Sequence, residues 1–118
     1  MIDMPIPINK WDVILIDFPY SDGSITKKRP GLAFATVIND LGGEDVIIAA
    51  ITSQPGLRGI EVNKSNPEFA ASGLKTDSRI LPGKIFTCAK SEIKSVIGKL
   101  GPNLQLSVKT RMREILGL

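Results

Sequence analysis

Two residues that could together bind a phosphate group, Arg29 and Thr52, have 22 residues between them in the sequence. The apolar run 31–38, the polar turn 39–43 and the apolar run 45–51 predict a β-hairpin. The start of its first strand and the end of its second strand then lie side by side. A fixed guanidinium group beside a hydroxyl group can hold a phosphate, so the pattern predicts an anion site at this end of the hairpin.

The flanking residues add charge and hydrogen-bonding groups to the predicted site. Lys27 and Lys28 precede Arg29, while Ser53 and Gln54 follow Thr52. Pro30 favours an extended conformation for the arginine before it. Taken separately, Arg29 also fits an ordinary surface arginine and Thr52 an ordinary strand threonine, so the prediction depends on their being brought together.

The composition fits a single soluble domain over residues 1–118, in which 42% of residues are hydrophobic and 23% are charged. The sequence shows no signal peptide and no apolar run of membrane-spanning length. Its one cysteine, Cys88, excludes a disulfide framework or a cysteine metal cluster and fits a cytoplasmic protein. We interpret Cys88 as a small core residue. The chain has no histidine, which excludes every Ser-His-Asp and Cys-His scheme.

Charge is distributed unevenly along the chain. Residues 1–70 contain nine acidic and six basic residues, a net charge of −3, whereas residues 71–118 contain three acidic and nine basic residues, a net charge of +6. A basic half can bind a polyanion or an acidic partner segment. The alternative interpretation is a solvated surface with scattered lysines.

The periodicity of apolar residues predicts a mainly β fold, either a small barrel or a twisted antiparallel sheet, with a C-terminal helix packed on it. Trp11 is expected at the rim of this fold. A short helix is expected to begin at residues 66–68 and to end at Gly73. Pro82-Gly83 is expected to interrupt the regular structure of the stretch before it, residues 74–81. The predicted strands are residues 12–18, 31–38, 45–51, 60–62, 84–88 and 93–100. The last of these also fits an amphipathic helix, but Gly98 and the β-branched residues favour a strand. The last helix opens at Gly101-Pro102-Asn103 and carries the apolar stripe Leu104, Val108, Met112, Ile115 and Leu116.

Six pieces of the sequence, in this order, resemble the MazF/PemK (Kid) family of bacterial toxins. Each piece alone is weakly specific, but the ordered set covers nearly the whole chain. The matching pieces are residues 12–22, 28–32, 49–53, 72–78, 84–87 and 97–102.

The resemblance implies an SH3-like barrel with added helices, a homodimer and a sequence-selective endoribonuclease that needs no metal or cofactor. It implies that the family's active arginine and threonine fall on Arg29 and Thr52. It also implies two partners, single-stranded RNA and an antitoxin with a disordered acidic tail. Tyr20, in the polar loop after the first strand, is a candidate for stacking on a base. The candidates for RNA binding are Tyr20, Lys27, Lys28, Ser53 and Gln54.

The sequence also departs from the family pattern. Some Kid-like members have an Arg-x-Asp pair at the positions of Leu81 and Gly83, and Kid-like members have a loop histidine that is absent here. Trp11 stands where the family usually has glycine. The general base is therefore unassigned, with Asp17, Asp22 and the RNA itself all open.

Two other functions are compatible with these departures. A CcdB-like toxin of similar fold would bind DNA gyrase without cleaving RNA, and an inactive relative would be a plain binding module. The Arg-Pro piece at Arg29 and the Thr-Ser piece at Thr52 favour the ribonuclease.

Overall fold

A computed structural model of the chain describes residues 6–19 and 26–118, with the backbone alone for residues 18, 19 and 26. Six strands and two α-helices follow one another in the order β1–β4, α1, β5, β6 and α2. A 3₁₀ turn, Lys90–Glu92, joins β5 to β6. The strands are β1 Asp12–Pro19, β2 Thr26–Ile38, β3 Glu44–Thr52, β4 Ile60–Val62, β5 Ser78–Ala89 and β6 Ile93–Lys99; the helices are α1 Phe69–Ser72 and α2 Pro102–Leu116.

The six strands form one antiparallel sheet in the order β4-β5-β3-β2-β1-β6. The predicted hairpin is confirmed as β2 and β3, whose paired residues run from Ile38 opposite Glu44 to Gly31 opposite Ala50. The predicted mainly β fold with a C-terminal helix is also confirmed. Of its two predicted forms, the sheet takes the open one, with β4 and β6 at its edges rather than paired into a barrel.

Both faces of the sheet are buried, as the continuous apolar run in β1 predicts. Val13 of β1 packs on one face with α2, whereas Ile14 and Ile16 pack on the other. The first core contains Val13, Leu32, Ala49, Ile51, Val62 and Ile80 of the sheet, Leu104, Val108 and Met112 of α2, and Trp11, Leu74 and Leu100. The second core contains Ile8, Ile14, Ile16, Ala33, Val46, Ile48 and Ile93.

A bulge carries β5 past Pro82 and Gly83, so the strand does not end there and only its pairing with β3 is interrupted. Ala50 pairs with Leu81, but the preceding residue of β3, Ala49, pairs with Ile85. The three residues between Leu81 and Ile85 therefore leave the ladder. Proline has no N–H to donate, and a bulge is one of the few places where a central strand accepts it.

The sequence predicts Trp11 at the rim of the fold, and this prediction is wrong. Trp11 lies in the first core, with 8% of its surface exposed. Its φ of 76° places the backbone in the left-handed region just before β1. The ring meets Phe34 edge to face, with 5.5 Å between ring centroids. The Trp11 N–H donates to the carbonyl of Ala33, and its carbonyl accepts from the N–H of Leu100. The residue therefore ties the entry of β1 to β2 and to the segment before α2.

The helix expected from Asn66 onwards is shorter than predicted. The Asn66 side chain accepts a hydrogen bond from the Glu68 N–H at 2.8 Å, the bond that a capping residue makes, but α1 begins only at Phe69. Gly73 ends α1 in a left-handed conformation, as predicted.

The C-terminal helix begins where the sequence predicts, with Gly101 before it and Pro102 in its first turn. The carboxylate of Glu68 accepts hydrogen bonds from the N–H groups of Asn103 at 3.0 Å and Leu104 at 2.9 Å. A negative charge at a helix N-terminus is favourable and satisfies orphan N–H donors, so Glu68 fixes this end of α2. The predicted stripe is buried at Leu104, Val108 and Met112, but Ile115 and Leu116 are exposed.

Gly73 packs directly against β6, where a Cβ atom would overlap the carbonyl oxygen of Ile97. Gly42 has a similar positive φ, but a Cβ atom there meets open space. We expect Gly42→Ala to cost about 1 kcal/mol for the left-handed backbone alone. Gly73→Ala should cost about 1–3 kcal/mol more, because overpacking is added to the same backbone cost. Urea denaturation of the two variants measures this difference, and equal costs would contradict the close packing of α1 on β6.

Candidate functional site

The β2–β3 ladder places Arg29 and Thr52 at neighbouring positions. Gly31 is paired with Ala50, and Arg29 and Thr52 each lie two residues beyond that pair along their strands. Because side chains alternate along a strand, both lie on the same face as Gly31 and Ala50. Both residues line the same two cavities. The predicted juxtaposition is therefore present in the structure.

One of these cavities, which we call the basic cavity, has a volume of about 560 Å³. Its described lining includes four cations and four hydroxyl side chains. The cations are Lys27, Lys28, Arg29 and Lys75, and the hydroxyl residues are Thr52, Ser53, Thr76 and Ser78. Among the described residues that line it, none is Asp or Glu. The cavity thus combines positive charge with neutral hydrogen-bond donors, which suits a phosphate-bearing ligand.

The second cavity, which we call the sheet cavity, has a volume of about 680 Å³ and lies against the bulge of β5. Arg29, Thr52, Gln54 and Lys84 are its polar side chains, beside an apolar wall that includes Leu81. A third, the helix cavity, has a volume of about 420 Å³ and shares Lys84 with the sheet cavity. It adds Arg58 and Arg111. The parts of the three linings that the structure describes contain seven cations and no carboxylate.

The hydroxyl group of Thr52 is oriented by its own turn. The Gln54 N–H donates to Thr52 Oγ1 at 3.1 Å. This hydrogen bond is the side-chain turn that threonine commonly makes at the end of a strand. Since the hydroxyl oxygen accepts in this bond, its proton remains available for donation. Thr52 can therefore donate to an anion in either cavity.

Arg29 is exposed, and no carboxylate in the described part of the chain lies within ion-pair distance of it. Its guanidinium group can offer two parallel N–H donors to a phosphate. Asp17, one of the open choices for a base, lies opposite Lys28 and pairs with Lys94 at 3.5 Å. It lines neither cavity that contains Arg29. Asp22 lies outside the described residues.

The other predicted binding residues divide between the cavities. Lys27, Lys28 and Ser53 line the basic cavity, and Gln54 lines the sheet cavity. Tyr20 lies outside the described residues, so its stacking role stays a prediction. Leu81 and Gly83, which stand at the family's Arg-x-Asp positions, line the sheet cavity beside Arg29 and Thr52. That part of the wall is neutral in this chain.

Three further cations near the site were missed by the sequence analysis. Lys75 lines the basic cavity, Lys84 lines the sheet cavity, and Arg79 of β5 pairs directly with Thr52. Lys84 sits in the bulge that sequence reasoning took for an interruption. Arg79 and Lys75 could have been found only from the pairing of β3 with β5, which joins segments far apart in the chain.

Cys88, interpreted from the sequence as a small core residue, packs against the second core in a partly buried position. Burial raises the pKa of its thiol, and the carboxylates of Glu92 and Asp45 raise it further. A raised pKa leaves less of the nucleophilic thiolate at neutral pH. Cys88 therefore belongs to the packing of β5 rather than to the site.

Comparison with known proteins agrees with this fold. A family model described as the PemK-like, MazF-like toxin of type II toxin–antitoxin systems matches residues 9–116. The chain therefore belongs to this family of toxins. No significant match is found among curated proteins. Neither helix of the described chain has the length and hydropathy of a membrane span.

Solved structures share the fold at low sequence identity. An endoribonuclease in complex with its cognate antitoxin from a mycobacterial species is 18% identical, with a TM-score of 0.67 and coverage of 96% of this chain and 97% of that one. The toxin MazF-mt6 of Mycobacterium tuberculosis is 20% identical, with a TM-score of 0.64 and coverage of 91% and 97%. MazF in the MazE-MazF complex of Deinococcus radiodurans is 15% identical, with a TM-score of 0.70 and coverage of 98% and 99%.

The raised pKa of Cys88 predicts slow alkylation by iodoacetamide. In the folded protein the rate should reach half its maximum at a higher pH than in the urea-unfolded protein, because the folded thiol ionises later. Glu92→Gln should lower this midpoint, since it removes one of the two carboxylates that oppose ionisation. If the pH midpoint of alkylation is the same or lower in the folded protein than in the unfolded protein, the raised pKa that burial and the two carboxylates give Cys88 is contradicted.

Proposed function

We propose that this toxin is an endoribonuclease that cleaves single-stranded RNA without a metal ion. The observation that carries the proposal is the placement of Arg29 and Thr52 side by side on two cavities lined with cations. RNA is a polyanion, and positive side chains without neighbouring carboxylates favour its binding. The description of the mycobacterial structural neighbour as an endoribonuclease supports the same proposal.

The proposed reaction begins with attack of a ribose 2′-oxygen on the adjacent phosphorus. The 2′-hydroxyl group loses its proton, a bond from the 2′-oxygen to phosphorus forms, and the bond to the 5′-oxygen of the next nucleotide breaks. That 5′-oxygen takes up a proton. The products are a 2′,3′-cyclic phosphate and a 5′-hydroxyl group, and no external oxidant, reductant or metal is needed.

Arg29 acts on the charge that develops during this reaction. The pentacovalent phosphorane carries more negative charge on its non-bridging oxygens than the starting diester. A preorganised guanidinium group therefore stabilises the phosphorane-like transition state more than the bound diester, and this difference lowers the barrier. Arg29 is free for this role, because no described carboxylate competes for it.

Thr52 contributes a neutral hydrogen bond to the same oxygens. Its hydroxyl oxygen already accepts from the Gln54 N–H, and its own proton remains available to donate to a phosphate oxygen. Because the 2′-oxygen of the RNA is the attacking atom in this reaction, Thr52 positions the phosphate and does not act as nucleophile. Asp17 is held by Lys94 at 3.5 Å, which disfavours it as the base.

Replacement of Arg29 should remove activity without unfolding the protein. We expect Arg29→Ala to lower kcat/KM for RNA cleavage by about 10²- to 10³-fold, the usual loss when one transition-state donor is removed. The assay uses purified protein and a mixed-sequence RNA in EDTA. Arg113→Ala, on the exposed side of α2, is the matched control because it removes the same charge from a residue that lines none of the three cavities.

Two results would contradict this proposal. Intact RNA after incubation with the folded wild-type protein, across several substrates, would exclude the activity, and binding to DNA gyrase would then favour the non-enzymatic alternative. Equal activity and equal melting of wild type and Arg29→Ala would refute the role of Arg29. RNA with 2′-O-methyl groups should stay intact, since it lacks the attacking hydroxyl.

We further propose that the protein acts as a homodimer and is inhibited by an antitoxin with a disordered acidic tail. Two structural neighbours are described as toxin–antitoxin complexes, which supports this partner. Lys27, Lys28 and Arg29 are exposed and line the basic cavity. An acidic tail that folds onto these cations would neutralise them and occupy the RNA path.

Competition between RNA and the antitoxin tail tests this shared surface. We expect an uncleavable RNA analogue to displace a labelled tail peptide from the toxin. Both ligands should also bind more weakly as salt concentration rises, because screening and counterion release act on both. Simultaneous binding of the two at low salt with unchanged affinities would show that the surfaces are separate.

A further inference from the structure

Arg79 places a second guanidinium group beside Thr52, on the side opposite Arg29. Thr52 of β3 pairs with Arg79 of β5, and Arg79 pairs in turn with Glu61 of β4. Paired residues in an antiparallel sheet present their side chains on the same face. Arg29, Thr52 and Arg79 thus form one row across three strands. Since neighbouring strands lie about 4.8 Å apart, the two arginine backbones are separated by about 10 Å.

The contacts of Arg79 leave most of its hydrogen-bonding capacity unused. Its Nη1 donates to the Gln54 carbonyl oxygen at 3.3 Å, and its Nη2 lies 3.8 Å from Glu61 Oε1. The second distance is too long for a hydrogen bond. A guanidinium group has five N–H donors, so one is engaged among the described contacts. The Arg79 side chain is 24% exposed, and the Glu61 side chain is 59% exposed.

Gln54 links Arg79 to the Thr52 hydroxyl group. The N–H of Gln54 donates to Thr52 Oγ1, while its carbonyl oxygen accepts from Arg79. The same turn is therefore held by both residues, and Arg79 lies between Thr52 and Glu61 across the sheet. Its ion pair with Glu61 is exposed to solvent, where such pairs contribute little stability. A stronger anion can replace Glu61 at low cost.

We propose that Arg79 binds an RNA phosphate next to the one held by Arg29, so that Thr52 lies between two phosphate-binding arginines. This inference rests on the proposed function, because it takes RNA as the ligand of the Arg29–Thr52 site. In the free protein, Glu61 holds Arg79. When RNA binds, the phosphate takes the place of Glu61, and the hydrogen bond to Gln54 keeps the guanidinium group beside Thr52.

The test measures the affinity of the full-length protein for a 2′-O-methyl RNA oligonucleotide over a range of salt concentrations. Arg79→Gln should weaken binding about fivefold or more. It should also reduce the slope of log affinity against log salt by about 0.7, the value for one phosphate contact on a single strand. Arg113→Gln removes the same charge from the exposed side of α2 and should leave the slope unchanged.

The variant Glu61→Gln distinguishes two roles for Arg79: binding a phosphate, or only stabilising the packing of β4 and the Gln54 turn. If Arg79 only braces β4 and the Gln54 turn, removal of Glu61 should weaken RNA binding in the same direction as Arg79→Gln. If Arg79 binds phosphate, removal of the competing carboxylate should tighten binding about twofold. Glu44→Gln is the matched control, because Glu44 pairs with Lys90 at 2.8 Å and begins β3, whereas Thr52 ends it. It should change affinity little.

The outcomes of this test differ from those of the cleavage assay. Arg79-dependent binding without cleavage would support the second phosphate contact and refute the proposed nuclease. Cleavage by wild type together with an unchanged salt slope in Arg79→Gln would refute the contact and leave the nuclease standing. Equal weakening by Glu61→Gln and Arg79→Gln, or failure of the wild type to bind the oligonucleotide at all, would also overturn the inference.

Discussion

The register of the β2–β3–β5 ladder is the constraint on which both the cores and the site depend. A slip of one residue would exchange the two faces of a strand, so the two buried cores fix the register strongly. With that register fixed, Arg29, Thr52 and Arg79 lie across from one another on three strands. The bulge in β5 lets the ladder continue past Pro82 and leaves Lys84 on the wall of the sheet cavity. The hydrogen bonds that stabilise the sheet thus also position the side chains of the candidate site.

Several acidic residues bind backbone N–H groups away from the cavities, which helps to explain why the described linings contain cations and no carboxylate. Glu68 holds the first N–H groups of α2, Asp77 accepts from the N–H of Lys64, and Asp12 accepts from the N–H of Asn9. These carboxylates stabilise turns and a helix end, and none of them lines the cavities. Like charges that remain without counter-ions repel one another. The cations of the basic and sheet cavities, which form no ion pair with a described carboxylate, therefore lower stability slightly in the free protein and gain most from a polyanionic ligand.

Local patterns in the sequence predicted the hairpin, the edge strand and the C-terminal helix, because each depends on residues close together in the chain. Arg29 and Thr52 were found in this way, since a single hairpin joins them. Arg79 and Lys84 were not, because they depend on β3 pairing with a strand some 30 residues away and on a three-residue bulge. Pro82-Gly83 predicts a break by local rules, and tertiary pairing overrides it.

Trp11 shows how packing can outweigh backbone strain at the entry of β1. A left-handed conformation costs a non-glycine residue about 1–2 kcal/mol. Burial of a large aromatic ring contributes more, since removal of such a ring typically costs about 3–5 kcal/mol. Here the ring packs on Phe34 and lies 5.2 Å from Lys10 Nζ, and the Trp11 backbone bonds to Ala33 and Leu100. The strained residue therefore fixes β1 in place, and β1 in turn supports the strand that carries Arg29.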